Sequence, residues 1–251
     1  PIKGVSFILQ KIRVDVSGLD LSEEVLEQET AGCLGHAIGM KELNEAVQKV
    51  TLYCRTHGYP AAMAYLPEQK SGQGVLTLKI MPGTYGDIKI ENQSKMKSGL
   101  AEGYARKLKK GATIRSKELE TVLYNLSNLG GIQAAGILSP GQVVGSSNIT
   151  IRLKDGQQAS YILYSENYGS KSSGRYRYGL QGSWSDLAGL GDSLHVSGLL
   201  SNHDLRNYSL GYELPVGQNG TKAGFSVSRM NYELGGALRM AGAKGKANTY
   251  S

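Results

Sequence analysis

Beyond Gln157 the chain loses every trace of a helical period. "ASYILYSEN", "GRYRYGLQGSW", "DSLHVSGLLS", "LRNYSLGYELP" and "KAGFSVSRMNY" follow one another, separated by clusters of glycine, serine and asparagine, and each has the pattern of a strand. In the second segment Tyr176, Tyr178, Leu180 and Trp184 fall on one side, with Arg175, Arg177, Gln181 and Ser183 on the other. A strand sends successive side chains to opposite faces, so each of these ribbons has one apolar and one wet surface. Leu194, Val196, Gly198 and Leu200 likewise oppose Ser193, His195, Ser197 and Ser201. Tyr208, Leu210, Tyr212 and Leu214 oppose Asn207, Ser209, Gly211 and Glu213. The fifth segment is less regular: Phe225 and Val227 share a face, then Met230 and Tyr232 take the other, which predicts a bulge.

The apolar side of such a tract needs a neighbour, and no helical segment there is available to cover it. One solution is a soluble antiparallel sheet or sandwich closed over a core; the other is lipid. The segments run to about 9 to 11 residues, the length of a tilted bilayer-crossing strand rather than the roughly 5 to 6 of soluble sheets. The chain carries 34 glycines and 15 tyrosines against two phenylalanines and one tryptophan, and the tyrosines collect near strand ends as an aromatic girdle requires. A short "PVGQNGTK" turn holds Asn219-Gly220, a hairpin signal. These features favour a membrane barrel, with Tyr176, Tyr178, Leu180, Trp184, Leu194, Val196, Tyr208, Leu210 and Tyr212 expected to face lipid. Five strands do not close a barrel, since the smallest have about eight, so a longer array is expected.

The first 155 residues obey a different grammar. "KIRVDVSG" sets Ile12, Val14 and Val16 at strand spacing, and Ser22 followed by Glu23 and Glu24 marks a helix start. A second helix is predicted in "MKELNEAVQKVTLYCRTHGY", where Met40, Leu43, Val47, Val50 and Cys54 recur at three and four residues and Gly58 ends the run. The strands "AAMAYLP" and "VLTLKIMPG" follow. The same order then recurs 76 residues on: Ile88 over Ile12, Ile90 over Val14, Leu119 over Leu43, Leu123 over Val47 and Leu126 over Val50. "NITIRLKDG" repeats "VLTLKIMPG" in the same position of the order. The unit is strand, helix, helix, strand, strand, present twice. The fold class expected is α+β plus β, with boundaries at 1–82, 83–155 and 156–251.

Net charge is +7 with 40% apolar residues, but basic and aromatic residues are not interleaved as in a single-strand binder, and no helix-turn-helix, zinc-finger or RNP pattern occurs. Nucleic acid is not an expected partner. No apolar run reaches the roughly 18 residues of a spanning helix. The chain opens at Pro1 without a basic and then apolar leader, which fits either a cytoplasmic protein or one whose signal peptide is gone. Cys33 and Cys54 are the only cysteines; an even pair suits a disulfide in an oxidising compartment such as the periplasm, the alternative being two buried free thiols.

Tandem modules of this kind feeding a glycine-rich strand array resemble the outer-membrane transporters of two-partner secretion, the haemolysin-activator family within the Omp85 superfamily. "TLYCRTHGYPAAMAYLPEQ" with "GVLTLKIMPGTYGDIKIEN" is similar to the family's first POTRA module, and "LETVLYNLSNLGGIQAAGILSPGQVVGSSNITIRLKD" to the second. "ENYGSKSSGRYRYGLQGSWSDLAGLGDSLHVSG" resembles the opening of its barrel. The resemblance implies POTRA modules at 1–82 and 83–155 in the periplasm, and the first strands of an outer-membrane barrel at 156–251. It implies export of a large exoprotein, an adhesin or cytolysin, without ATP, by a protein acting as a monomer. The family's plug helix and its pore-lining loop motif have no counterpart in these residues. Each module's edge strand leaves N–H and C=O groups able to accept an extended client segment. The strand Ala62 to Leu66, including Ala64, is the expected docking edge, with Val47, Tyr53 and His57 as pocket residues; Val47 serves the core equally well. Connectivity makes "YGSKSSG" and "SNHD" extracellular and "LAGLGD" and "GQNG" periplasmic.

The alternatives are an Omp85-type assembly factor that inserts barrel proteins, and a soluble β-rich surface-binding protein. His36, His57, His195 and His203 lack metal-ligand spacing, and no nucleophile elbow, P-loop or dinucleotide fingerprint occurs. No enzyme activity, cofactor or metal is expected. "LGG" at Leu129 to Gly131 reads as a helix stop. Lys95, Lys97, Arg106, Lys107, Lys109 and Lys110 form one basic cluster, read as a solubilising face, the alternative being a surface for anionic lipid or an acidic client segment.

Overall fold

A computed structural model describes residues 7–16, 18–35, 37–69, 74–233, 242 and 244–251; His36 lies outside them. The first module begins with the short pair β1 (Phe7–Ile8) and β3 (Ala37–Ile38), then β2 (Lys11–Asp15), α1 (Glu23–Glu29), α2 (Met40–Thr56), β4 (Met63–Tyr65) and β5 (Val75–Met81). β2 buries Ile12 and Val14 and exposes Lys11 and Arg13, as its alternation requires. The Ser22 hydroxyl accepts the Val25 amide at 3.4 Å and caps α1. At the start of α2 the Glu42 carboxylate accepts the Gly39 N–H at 2.9 Å. Gly58, at φ +100, turns the chain out of this helix.

The buried stripe of α2 is Leu43, Ala46, Val50 and Cys54. Met40 is exposed and Val47 only half-buried, so the apolar face is rotated slightly from the spacing that includes them. The sheet order is β2-β5-β4, with β2 parallel and β4 antiparallel to β5, which leaves β4 at an edge. Cys33 and Cys54 are both buried free thiols, so the expected disulfide is not formed. The Cys33 thiol turns instead to the Glu42 carbonyl at 3.9 Å, and burial pushes the Cys54 thiol up from its ordinary value.

The repeat predicted at 76 residues is present in three dimensions. β6 (Thr84–Gln93), α3 (Ser98–Ala105), α4 (Ser116–Ser127), β7 (Ile132–Pro140) and β8 (Ser146–Asp155) give a sheet ordered β6-β8-β7, again with the strand that follows the second helix at the edge. Equivalent residues have equivalent burial: Val50 and Leu126 are fully buried, Leu43 and Leu119 nearly so, Val47 and Leu123 half-buried. β8 buries Ile149, Ile151 and Leu153. Gly131, at φ +68, supports the predicted helix stop.

Six antiparallel strands follow: β9 (Ala159–Glu166), β10 (Arg177–Ser185), β11 (Ser193–Ser201), β12 (Arg206–Pro215), β13 (Lys222–Glu233) and β14 (Lys244–Tyr250). They form an open meander in sequence order. β14 was not among the expected strands, because "KGKANTY" has no apolar alternation to reveal it. The expected bulge in β13 is absent: its register with β12 is unbroken from Arg206↔Asn231 to Pro215↔Lys222. Met230 therefore shares the polar face, and Arg229 takes the apolar one opposite Tyr208.

The chain divides into two compact units, one of residues 1–89, 106–122 and 136–151, the other of residues 90–105, 123–135 and 152–251. Within the second unit the β10–β11 turn rests on residues of the second module. The Lys97 amide donates to the Gly189 carbonyl at 2.9 Å and the Gly130 amide to the Gly191 carbonyl at 3.2 Å. The β12–β13 turn is close as well, for a Cβ on Gly103 would meet the Gln218 side chain and one on Gly220 the Asn125 side chain. Thus "LAGLGD" and "GQNG" lie at the module end of the sheet, the arrangement that connectivity requires.

Candidate functional site

Two features of the structure are candidates for function: the sheet edges of the modules and the two faces of the strand array. On the array, cross-strand register lines the residues into rows. Trp184, Leu194, Tyr212 and Phe225 form one row; Tyr161, Gly182, Val196, Leu210, Val227 and Tyr250 form the next; Leu163, Leu180, Gly198 and Tyr208 a third. Among the described residues no helix covers this face: Leu163 is 82% exposed, Tyr178 57%, Leu180 52% and Phe225 57%. Tyr176, Val196, Tyr208 and Leu210 are exposed too, while Trp184, Leu194 and Tyr212 are partly shielded by neighbouring rings and turns. Gly182 is flat because the Trp184 ring lies over it; an added Cβ would approach that ring to 3.0 Å.

The opposite face is mainly polar, with Ile162, Leu199 and Met230 interspersed. Gln181, Ser197, Ser209, Ser228 and Thr249 stand in one row across five strands, and Ser160, Ser183, His195, Gly211 and Ser226 in the next. Ser197 and Ser209 hydroxyls are 2.7 Å apart. An apolar face left bare in water is a large penalty, whereas a sheet with one apolar and one hydroxyl-rich face is what a barrel wall between lipid and an aqueous lumen needs.

The β10–β11 turn is held by two buried aspartates that the sequence reading missed. Asp186 accepts the Gly191 amide at 2.8 Å through Oδ1, and Asp192 accepts the Ala188 amide at 3.0 Å. The Tyr212 hydroxyl donates to Asp192 Oδ2 at 3.0 Å. Burial raises the Asp186 carboxyl above its ordinary value, outweighing the Gly191 hydrogen bond. The signal available was a pair of aspartates bracketing Gly189 and Gly191 in "DLAGLGD".

On the first module the expected docking residues separate. Ala62 and Ala64 send their side chains into the core, Val47, Tyr53 and Leu66 pack partly against it, and only His57 is exposed, its ring stacked on that of Tyr53 with centroids 3.8 Å apart. His57 Nδ1 lies 2.8 Å from the Tyr53 carbonyl oxygen. The edge backbone of β4 is engaged by α2: the Ala64 amide donates to Thr51 Oγ1 at 2.9 Å, and Arg55 Nε donates to the Ala62 carbonyl at 3.0 Å. Met63, Tyr65 and Met81, together with Leu138, Val143 and Val144, line a cleft of about 830 Å³.

Two family models match separate stretches of the chain. Residues 7–83 match the POTRA domain of ShlB type, and residues 145–251 match the haemolysin secretion/activation protein family ShlB/FhaC/HecB. Over these two stretches, each less than half of its length, the chain is similar to the ShlB/FhaC/HecB haemolysin secretion/activation family. Among relatives, the heme/hemopexin transporter protein HuxB of Haemophilus influenzae is 26% identical over 98% of the chain and 44% of its own length. The outer membrane transporter CdiB of Dickeya dadantii is 24% identical over 92% of the chain and 41% of its own length. The structure of CdiB from Escherichia coli shares the fold at a TM-score of 0.68, with 21% identity over 98% of this chain and 46% of that one. The chain therefore spans less than half the length of these relatives. CdiB is named an outer membrane transporter.

Proposed function

We propose that the chain is the receiving half of a two-partner secretion transporter: its modules take an extended segment of a secreted exoprotein by strand addition and deliver it to a pore whose wall begins with β9 to β14. The observation that carries this reading is the two-faced sheet, apolar and uncovered on one side and lined by Ser197, Ser209 and Ser228 on the other. Tyr176, Tyr178, Leu180, Trp184, Leu194, Val196, Tyr208, Leu210 and Tyr212 are its lipid-facing residues. A lumen rich in hydroxyls offers an unfolded chain hydrogen bonds, with few apolar side chains, Ile162 and Met230 among them, to hold it.

Recognition uses sheet edges, because an edge pairs with main chain whatever the client's sequence. The apolar cleft beside Met63 and Tyr65 supplies contacts to alternate client side chains. Relatives are named for heme/hemopexin transport, which belongs to those proteins; here the client class is a large secreted polypeptide. No catalytic step is assigned, and the transporter acts as a monomer.

Deletion of the full gene tests the reading. The expected result is the loss of one large protein from the culture medium with the outer-membrane proteome intact. An unchanged medium, combined with depletion of several barrel proteins, would instead establish the assembly-factor alternative.

A further inference from the structure

The contact between Thr51 and Ala64 has a counterpart one repeat later. In the second module the Ala134 amide of β7 donates to Ser127 Oγ at 3.2 Å, and Ser127 stands 76 residues after Thr51. In both modules, then, the same position near the end of the second helix carries a hydroxyl, and that hydroxyl accepts an outward N–H of the edge strand. A buried or half-buried N–H left without a partner is costly, so the hydroxyl stands in for the carbonyl that a neighbouring strand would provide.

The two edges differ in what else is held. β4 has three residues, and Arg55 takes the Ala62 carbonyl in addition, so adjacent outward groups of the edge are engaged by α2. The residue 76 positions after Arg55 is Gly131, which has no side chain to repeat the contact. β7 has nine residues, and beyond Ala134 none of its outward groups meets a side chain of α4 among the described residues. By the two-residue alternation of a strand, Gly136 and Leu138 turn their main-chain groups the same way as Ala134, and Pro140, lacking an N–H, ends the row.

We propose that Thr51 with Arg55 forms a double latch that keeps the first module's edge closed, while Ser127 alone leaves β7 open, so that an extended client segment pairs first with Ala134 to Leu138. The occupant is a peptide strand, since the open groups are a periodic row of main-chain donors and acceptors with no accompanying charge. Thr51, Arg55 and Ser127 are positioning residues: they set which edge is available. This inference rests on the strand-addition reading above and refines it.

Hydrogen exchange on the 251-residue chain in detergent micelles tests it, with a short capped peptide alternating threonine and valine as probe and its N-methylated analogue as control. In the parent chain the probe should slow exchange at Gly136 and Leu138 and leave Ala64 unchanged. In a Thr51→Val, Arg55→Met double variant, slowing should appear at Ala64 as well. Ser127→Ala, which leaves the first module intact, should tighten the probe at β7 by about fivefold, because one competing hydrogen bond is gone. Protection of Ala64 in the parent, or no change at β7 on Ser127→Ala, would overturn the latch while leaving strand addition standing. Protection at neither edge in any of these chains would remove both.

Discussion

Trp184 donates its indole N–H to the Tyr161 hydroxyl at 2.9 Å, and the two rings meet edge to face at 5.5 Å on the apolar side of the strand array. The pair ties β10 to β9 at the end of the sheet nearest the modules, where an amphipathic ring suits the boundary between hydrocarbon and headgroup. Trp184 is the single tryptophan of the chain, so its emission reports this place alone. In vesicles containing lipid brominated near the headgroup, its fluorescence should be strongly quenched relative to unbrominated lipid. Equal emission in the two would show that this face is not in contact with lipid.

Leu180 and Gln181 are neighbours in sequence and lie on opposite faces of β10. Leu180→Arg places a charge among Leu163 and Tyr208, where a midplane site in a barrel wall costs about 2 to 4 kcal/mol. Gln181→Arg places it in the serine row and should be tolerated. Urea unfolding in lipid vesicles measures both, and equal losses would contradict a lipid-facing assignment of Leu180.

Gly191 adopts φ +70, and a Cβ there would lie 2.8 Å from the Leu129 Cβ. Gly191→Ala should therefore cost about 2 kcal/mol locally, from the left-handed backbone alone before the clash is counted. The Gly130 amide, bonded to the Gly191 carbonyl, should then exchange faster while the amides of β12 do not. If both are unaffected, the turn is not seated as described.

Tyr85 is 1% exposed and its hydroxyl has no hydrogen-bond partner among the described residues. Burial, and after it the charge of Glu118, pushes its ionisation up to about 12 from 10.0. Because the folded value is the higher one, the fold favours the neutral phenol: that contribution is complete below pH 10.0 and is lost as pH rises through about 12. Tyr85→Phe removes an unsatisfied buried group and should stabilise the chain by about 1 kcal/mol at neutral pH. Its advantage should widen between pH 10.0 and about 12, measured by chemical denaturation across that range. A less stable phenylalanine variant would mean that the hydroxyl has a partner.

Much of this architecture is written locally. The alternation of Leu194, Val196 and Leu200 against Ser193, His195 and Ser197 determines two faces whatever the register, and the spacing of Leu43 and Val50, repeated at Leu119 and Leu126, determines two copies of one module. Periodicity sees such features because each depends on residues a few positions apart. It failed at β14, whose sequence has no apolar face to alternate, and at β13, where Arg229 on the apolar side imitates a change of register.

The tertiary structure decided what depends on residues far apart. That Cys33 faces a carbonyl and not Cys54 is a matter of how a turn and a helix pack. That Thr51 and Arg55 engage the β4 edge, and Ser127 the β7 edge, follows from bringing a helix face against a strand thirteen, seven and seven residues away in the chain. A hydroxyl on a helix has the same local pattern whether it meets water or an edge amide. Only the position of the neighbouring strand, set by packing of the whole module, distinguishes the two.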